Sequence, residues 1–123
     1  MIKDILLVGA GSAIGGILRL LVGKGIMQFF QYPFPLGTFL VNITGSFVIG
    51  LLYALFGKSG NLTPAALLFM ATGVCGGFTT FSAFSYENLL LLKNGNYIMA
   101  GVYIASSLIL GLLAVFAGYV VGK

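Results

Sequence analysis

Apolar residues fall along this chain in four long blocks, over about 5–23, 37–56, 64–92 and 97–121. Each holds roughly the 20 apolar residues that a helix needs to cross a hydrocarbon core. Pro33 and Pro35, the Gly-Lys-Ser-Gly-Asn run at 57–61, and Asn94-Gly95-Asn96 separate the blocks as turn signals. Pro64 suits the first turn of the third helix. The pattern predicts an all-α integral membrane protein, residues 1–123 forming a single domain of four transmembrane helices. The first block is read as a membrane helix and not a signal peptide: its basic start is weak, it is long, and no small-residue cleavage site is evident.

The third block differs from the others. Gly73 to Ser85 reads Gly-Val-Cys-Gly-Gly-Phe-Thr-Thr-Phe-Ser-Ala-Phe-Ser, with glycines and hydroxyls at the midpoint of an otherwise apolar span. Backbone groups freed from a helix inside hydrocarbon need partners, so a break is tolerated only beside protein or a polar path. The third helix is therefore expected to be broken at its midpoint, and the break is a candidate site.

Composition agrees with the blocks. Of 123 residues 59% are hydrophobic and 7% charged, against roughly a quarter charged in a soluble domain. A single cysteine, Cys75, and no histidine exclude a disulfide framework and a Cys/His metal site. Cys75 reads as a small apolar residue, and no nucleophile–base constellation points to an enzyme. The net charge of +4 comes from basic residues mostly at block ends, which makes them interfacial anchors and not a nucleic-acid surface. Lys3, Lys58 and Lys123 fall on the N-terminal side, with Lys24, Lys93 and nearby Arg19 on the other. That balance gives no positive-inside bias. Dual topology and an antiparallel pair follow as expectations, since four helices alone leave little room for an ion path. Gly11-x-x-x-Gly15 and Gly73-x-x-x-Gly77 allow close helix approach.

Depth then groups the polar side chains. At about 1.5 Å per residue, Gly76 to Thr80 lie near the bilayer centre, with Phe81, Ser82, Phe84 and Ser85 just beyond. Thr38 and Asn42, one turn apart in the second block, reach the same half, as do Tyr103 and Ser107 in the fourth. Arg19 and Glu87 enter it too, and their shared depth suggests an ion pair. Singly, hydroxyls often bond back to their own helix and phenylalanines pack in cores. Together, amide and hydroxyl donors with aromatic ring edges suit a small anion, and freed carbonyls doubled across a two-fold axis suit a central cation. The residues do not choose among anions. Two other classes are open: a small four-helix drug/proton antiporter, and a non-conducting assembly subunit. The antiporter needs a membrane-embedded carboxylate in its first helix, where only Asp4 stands, at the very end.

Two stretches carry a resemblance over essentially the whole chain. Pro35-Leu-Gly-Thr-Phe-Leu-Val-Asn-Ile-Thr-Gly-Ser-Phe and Gly76-Gly-Phe-Thr-Thr-Phe-Ser-Ala-Phe-Ser, with the earlier Gly15-Gly-Ile-Leu-Arg, resemble the Fluc/CrcB fluoride channels. The resemblance implies a dual-topology antiparallel dimer with two fluoride pores, exporting toxic fluoride passively and conferring fluoride resistance. It implies a structural sodium ion at the dimer centre, held by the carbonyls of Gly76 and Thr79, and no organic cofactor. Phe81 and Phe84 would turn ring edges toward fluoride. Asn42 and Ser82 would donate hydrogen bonds, Thr38, Tyr103 and Ser107 would line the pore further, and Arg19 would sit in a vestibule. Ala83 stands where the family commonly has threonine. The implied partners are a second copy of the chain, with a heterodimer as the other form in the family, fluoride and the lipid bilayer. The implied location is a prokaryotic plasma membrane, crossed several times.

Overall fold

The computed structural model describes residues 1–29, 33–58 and 62–123. Four helical spans are long and apolar enough to cross a membrane. They are α1 (Ile2–Phe29), α2 (Leu36–Gly57), a composite third span over Pro64–Lys93, and α6 (Tyr97–Gly122). The third span is made of α3 (Pro64–Leu67), a π-helical stretch (Leu68–Cys75), α4 (Gly76–Phe78) and α5 (Phe81–Lys93). The all-helical membrane architecture expected from the apolar blocks is present. Residues 59–61 of the anticipated turn after α2 lie outside the described residues.

Local chemistry sets the helix ends. Thr63 caps α3, its hydroxyl accepting from the Ala66 N–H at 3.1 Å, with Pro64 in the first turn. Thr80 caps α5 in the same way, accepting from the Ala83 N–H at 3.2 Å. At the far end of α5, Asn96 N–H reaches the Leu91 carbonyl and Gly95 N–H the Leu92 carbonyl. This is the Schellman arrangement, and Gly95 takes the left-handed φ of +80° that it requires.

Packing within the subunit pairs α1 with the first half of the third span and α2 with α6. Both contacts run backbone to backbone through glycines. A methyl group added at Gly11 would fall 2.5 Å from the Phe69 carbonyl oxygen, and one at Gly77 would fall 2.5 Å from that of Ser12. Methyls at Gly50 or Gly118 would likewise collide with carbonyls of Val115 or Phe47 across the α2–α6 contact. The two small-residue motifs of α1 and the third span thus meet each other inside one chain. Two apolar clusters fill what remains: Leu52, Ala71 and Cys75 toward one end, and Leu91, Ala100 and Tyr103 toward the other. Cys75 is buried, as its reading as a small apolar residue requires.

Candidate functional site

The interruption of the third span is narrower than the sequence pattern suggests. Gly76 keeps helical dihedrals (φ −62°, ψ −37°) and Gly77 belongs to α4, where it packs against Ser12 of α1, so neither glycine is the break itself. The helix opens at two threonines. Thr79 (φ −83°, ψ 156°) and Thr80 (φ −151°, ψ 122°) are extended. β-Branched residues tolerate such dihedrals well, and their hydroxyls repair part of the damage. Thr79 Oγ1 donates back to the Cys75 carbonyl at 2.9 Å, while Thr80 Oγ1 caps α5.

Other helices supply the rest. Asn42 of α2 meets Thr80 with both ends of its amide: its Oδ1 accepts from the Thr80 N–H at 2.8 Å and its Nδ2 donates to the Thr80 carbonyl at 3.1 Å. Arg19 of α1 donates from Nε to the Gly77 carbonyl at 3.3 Å. These rearrangements free other carbonyls. The Thr80 N–H, the ordinary helical partner of the Gly76 carbonyl, goes to Asn42. The Ala83 N–H, the ordinary partner of the Thr79 carbonyl, goes to Thr80 Oγ1. Two main-chain oxygens near the middle of the third span thus lose their helical donors.

A groove of about 360 Å³ lies beside the break. Asn42, Ser46, Gly76, Thr79, Thr80, Phe81, Phe84 and Ser107 contribute to its wall, and none of its lining residues is charged. Of the residues picked out in the sequence, Asn42, Gly76, Thr79, Phe81, Phe84 and Ser107 therefore come together here. The Ser107 hydroxyl is buried without a hydrogen-bond partner among the described residues. Phe81 is 80% exposed, its ring centroid 6.0 Å from that of Phe84. Ser82 stands apart: it is exposed, and its hydroxyl lies 3.3 Å from Thr80 Oγ1.

A second cavity, about 990 Å³, opens between the end of α1 and the start of α2. Arg19, Lys24, Thr38, Ala83 and Glu87 line it with apolar neighbours. The anticipated ion pair between Arg19 and Glu87 does not form. Arg19 turns its Nε to the carbonyl that the break has stripped of its N–H, and both Glu87 oxygens are taken by hydroxyls. Thr38 Oγ1 donates to one at 2.7 Å and Tyr103 Oη to the other at 2.8 Å. Tyr103 is fully buried, and its ring packs 4.9 Å from Phe84 and 5.3 Å from Phe34. It forms part of the partition between the two cavities. Within one subunit the polar side chains grouped by depth are divided between the two cavities, with the Thr38 and Tyr103 hydroxyls both donating to Glu87. Glu87 as the centre of that three-span cluster escaped the sequence reading, although its depth relative to Thr38 and Tyr103 was the available signal. Phe34 and Phe39, which continue the aromatic wall, had no signal beyond being aromatic.

A family model described as CrcB-like protein, Camphor Resistance (CrcB), matches residues 6–119. The chain is a member of the CrcB family. Full-length relatives include a protein of Campylobacter jejuni subsp. jejuni serotype O:6, 43% identical over 123 residues and covering 100% of both chains. One from Rhizobium meliloti is 48% identical over 116 residues, covering 94% of this chain and 93% of its own. One from Gloeobacter violaceus is 47% identical over 124 residues, with 100% and 98% coverage. Each carries the name "Fluoride-specific ion channel FluC", so these CrcB relatives are named as channels and not as enzymes.

Proposed function

We propose that this protein is a fluoride-selective channel that lets fluoride leave the cell passively, working as an antiparallel, dual-topology homodimer in a bacterial cell membrane. The observation that carries the reading is the uncharged groove beside the break, in a chain whose full-length relatives are named for fluoride. Fluoride holds its water tightly, so a pore must replace that water with several close donors, none binding so strongly as to trap the ion. Ser107 Oγ, the second N–H of the Asn42 amide and the ring edges of Phe81 and Phe84 are groups of the right polarity. Ser82 completes the set from the exposed side. Arg19 and Lys24 give the second cavity, read as the vestibule, two basic walls, with Thr38 and Tyr103 acting through Glu87.

The dimer rests on exposure. A groove with hydroxyl, amide and carbonyl atoms, flanked by an 80% exposed Phe81, is a costly surface to leave against lipid. A second copy, inverted, covers it and completes two pores. A related subunit in a heterodimer would cover it equally, but the balanced basic residues favour two copies of one chain.

Sodium fits the same place. The Gly76 and Thr79 carbonyls have lost their helical donors, and both residues line the groove. Such oxygens, contributed by two copies, are ligands for an alkali cation. Bound there, sodium supplies positive charge that locks the copies together at the dimer centre.

The test is efflux from liposomes holding the purified dimer, followed with fluoride- and chloride-selective electrodes together. Fluoride release without chloride release is expected. Absence of fluoride release from a folded dimer, or equal release of both ions, overturns the reading.

A further inference from the structure

Arg19 lies on the stripe of α1 that packs against the third span. Gly11 and Gly15, eight and four residues before it, touch that span's backbone, and the next contact along the stripe is the Arg19 hydrogen bond to the Gly77 carbonyl. In an unbroken helix that carbonyl would take the N–H of Phe81. Here Thr80 is extended and Phe81 opens α5, so the donor is gone. The helical run from Pro64 to Phe78 ends on bare carbonyls, where the partial negative charge of a helix gathers. Asn42 of α2 holds Thr80, three residues further on, by its N–H and its carbonyl.

The geometry points to Arg19 as a positioning residue. It caps the first half of the third span and, together with Asn42, fixes the dihedral switch at Thr79–Thr80 that sets the groove. Gathering ions at the vestibule mouth is a different role, and side-chain anatomy separates the two. Gln carries a neutral N–H donor at the chain position of Nε, so Arg19→Gln keeps the donor and loses the charge. Lys has a methylene there and its ammonium one bond farther out, so Arg19→Lys keeps the charge and has no donor at the Nε position.

The experiment compares both variants by two measurements. The first is the labelling rate of Cys75, the only cysteine, by a membrane-permeant maleimide in native membranes. Cys75 is buried and its carbonyl holds Thr79, two residues beyond Gly77, so loosening the cap exposes it. This readout is independent of whether the protein conducts fluoride. The second is fluoride efflux at low and high salt, which rests on the function proposed above and carries the wild type as its control.

Positioning predicts that Arg19→Gln keeps near wild-type labelling and loses only the roughly two- to threefold of flux at low salt that a missing vestibule charge accounts for. Arg19→Lys should label about tenfold faster, the loss of one charge-assisted hydrogen bond, and lose flux equally at both salt concentrations. A Lys variant that gives no folded dimer beside a Gln variant that does is the same order and supports the assignment. The reverse order overturns it, with Lys like wild type and Gln losing flux only at low salt. Equal behaviour of the two variants, intact or impaired, overturns it as well.

Discussion

The two cavities of this subunit are built from opposite materials. The groove beside the break has amide, hydroxyl, carbonyl and ring atoms and no charged side chain. The larger cavity toward the end of α1 has Arg19, Lys24 and Glu87. The difference follows from depth. A charge in mid-membrane carries a heavy desolvation cost, while one near the interface is tolerated through snorkelling or pairing. An ion meeting these surfaces in turn would be gathered by full charges where water is plentiful. It would then be handed to weak, neutral donors where water is scarce. Passage should accordingly depend steeply on the groove and shallowly on the mouth.

The steepest dependence falls on Asn42. Asn42→Ala removes both hydrogen bonds to Thr80 and strands its N–H and carbonyl away from water, at about 2–4 kcal/mol. Fluoride efflux should vanish, and the thermal midpoint in detergent should fall by many degrees. An unshifted midpoint would contradict the clamp. Next comes Phe81→Ile, which keeps bulk and removes the ring edge. Because Phe81 is exposed in the subunit, folding should hold while efflux drops by about two orders of magnitude, consistent with loss of an electrostatic contact in a dry site. Normal efflux in a dimer of normal elution volume would remove Phe81 from the pathway.

At the partition the effect should be smaller. Tyr103→Phe takes away one of two donors to Glu87 and leaves the ring packing, a change of about 1 kcal/mol. Stability should drop modestly and efflux by about tenfold or less; a collapse to the Asn42→Ala level would mean that the partition, not the groove, governs passage. The slightest change is expected at the mouth. Lys24→Gln should lower efflux about two- to threefold at low ionic strength and not at all at high salt, where a charge at the surface is screened. A Lys24 effect exceeding that of Phe81 would invert the contrast between the two cavities.

Sequence pattern gave a good account of level and a poor one of direction. The four spans, the neighbourhood of the break and the residues sharing its depth follow from apolar length and a fixed rise per residue. What they face does not. Thr38 and Tyr103 have the depth of a pore lining, but their hydroxyls point to Glu87. Asn42 has the depth of an ion ligand, yet two of its hydrogen bonds go to the Thr80 backbone. Direction depends on rotation about each helix axis, and the π-wound stretch Leu68–Cys75 alters that rotation for every residue after it. Nothing in the apolar pattern announces the π winding. The glycines misled for a related reason. Gly76-Gly77 looks like a helix breaker, but in a membrane small residues also mark where helices touch, and Gly77 sits against Ser12 of α1.

The repairs at Thr79–Thr80 also bear on how the chain is made. Beyond the span's own threonine hydroxyls, the groups that complete the broken backbone come from Arg19 and Asn42, in α1 and α2. Both helices leave the ribosome before the third span does. When the interrupted helix reaches the bilayer, its partners are already in place, and its unfinished ends need not wait in lipid for a later segment. Reordering the spans by circular permutation, so that the third emerged first, would deprive it of both partners during insertion. The order of synthesis is thus matched to the order in which backbone groups need company.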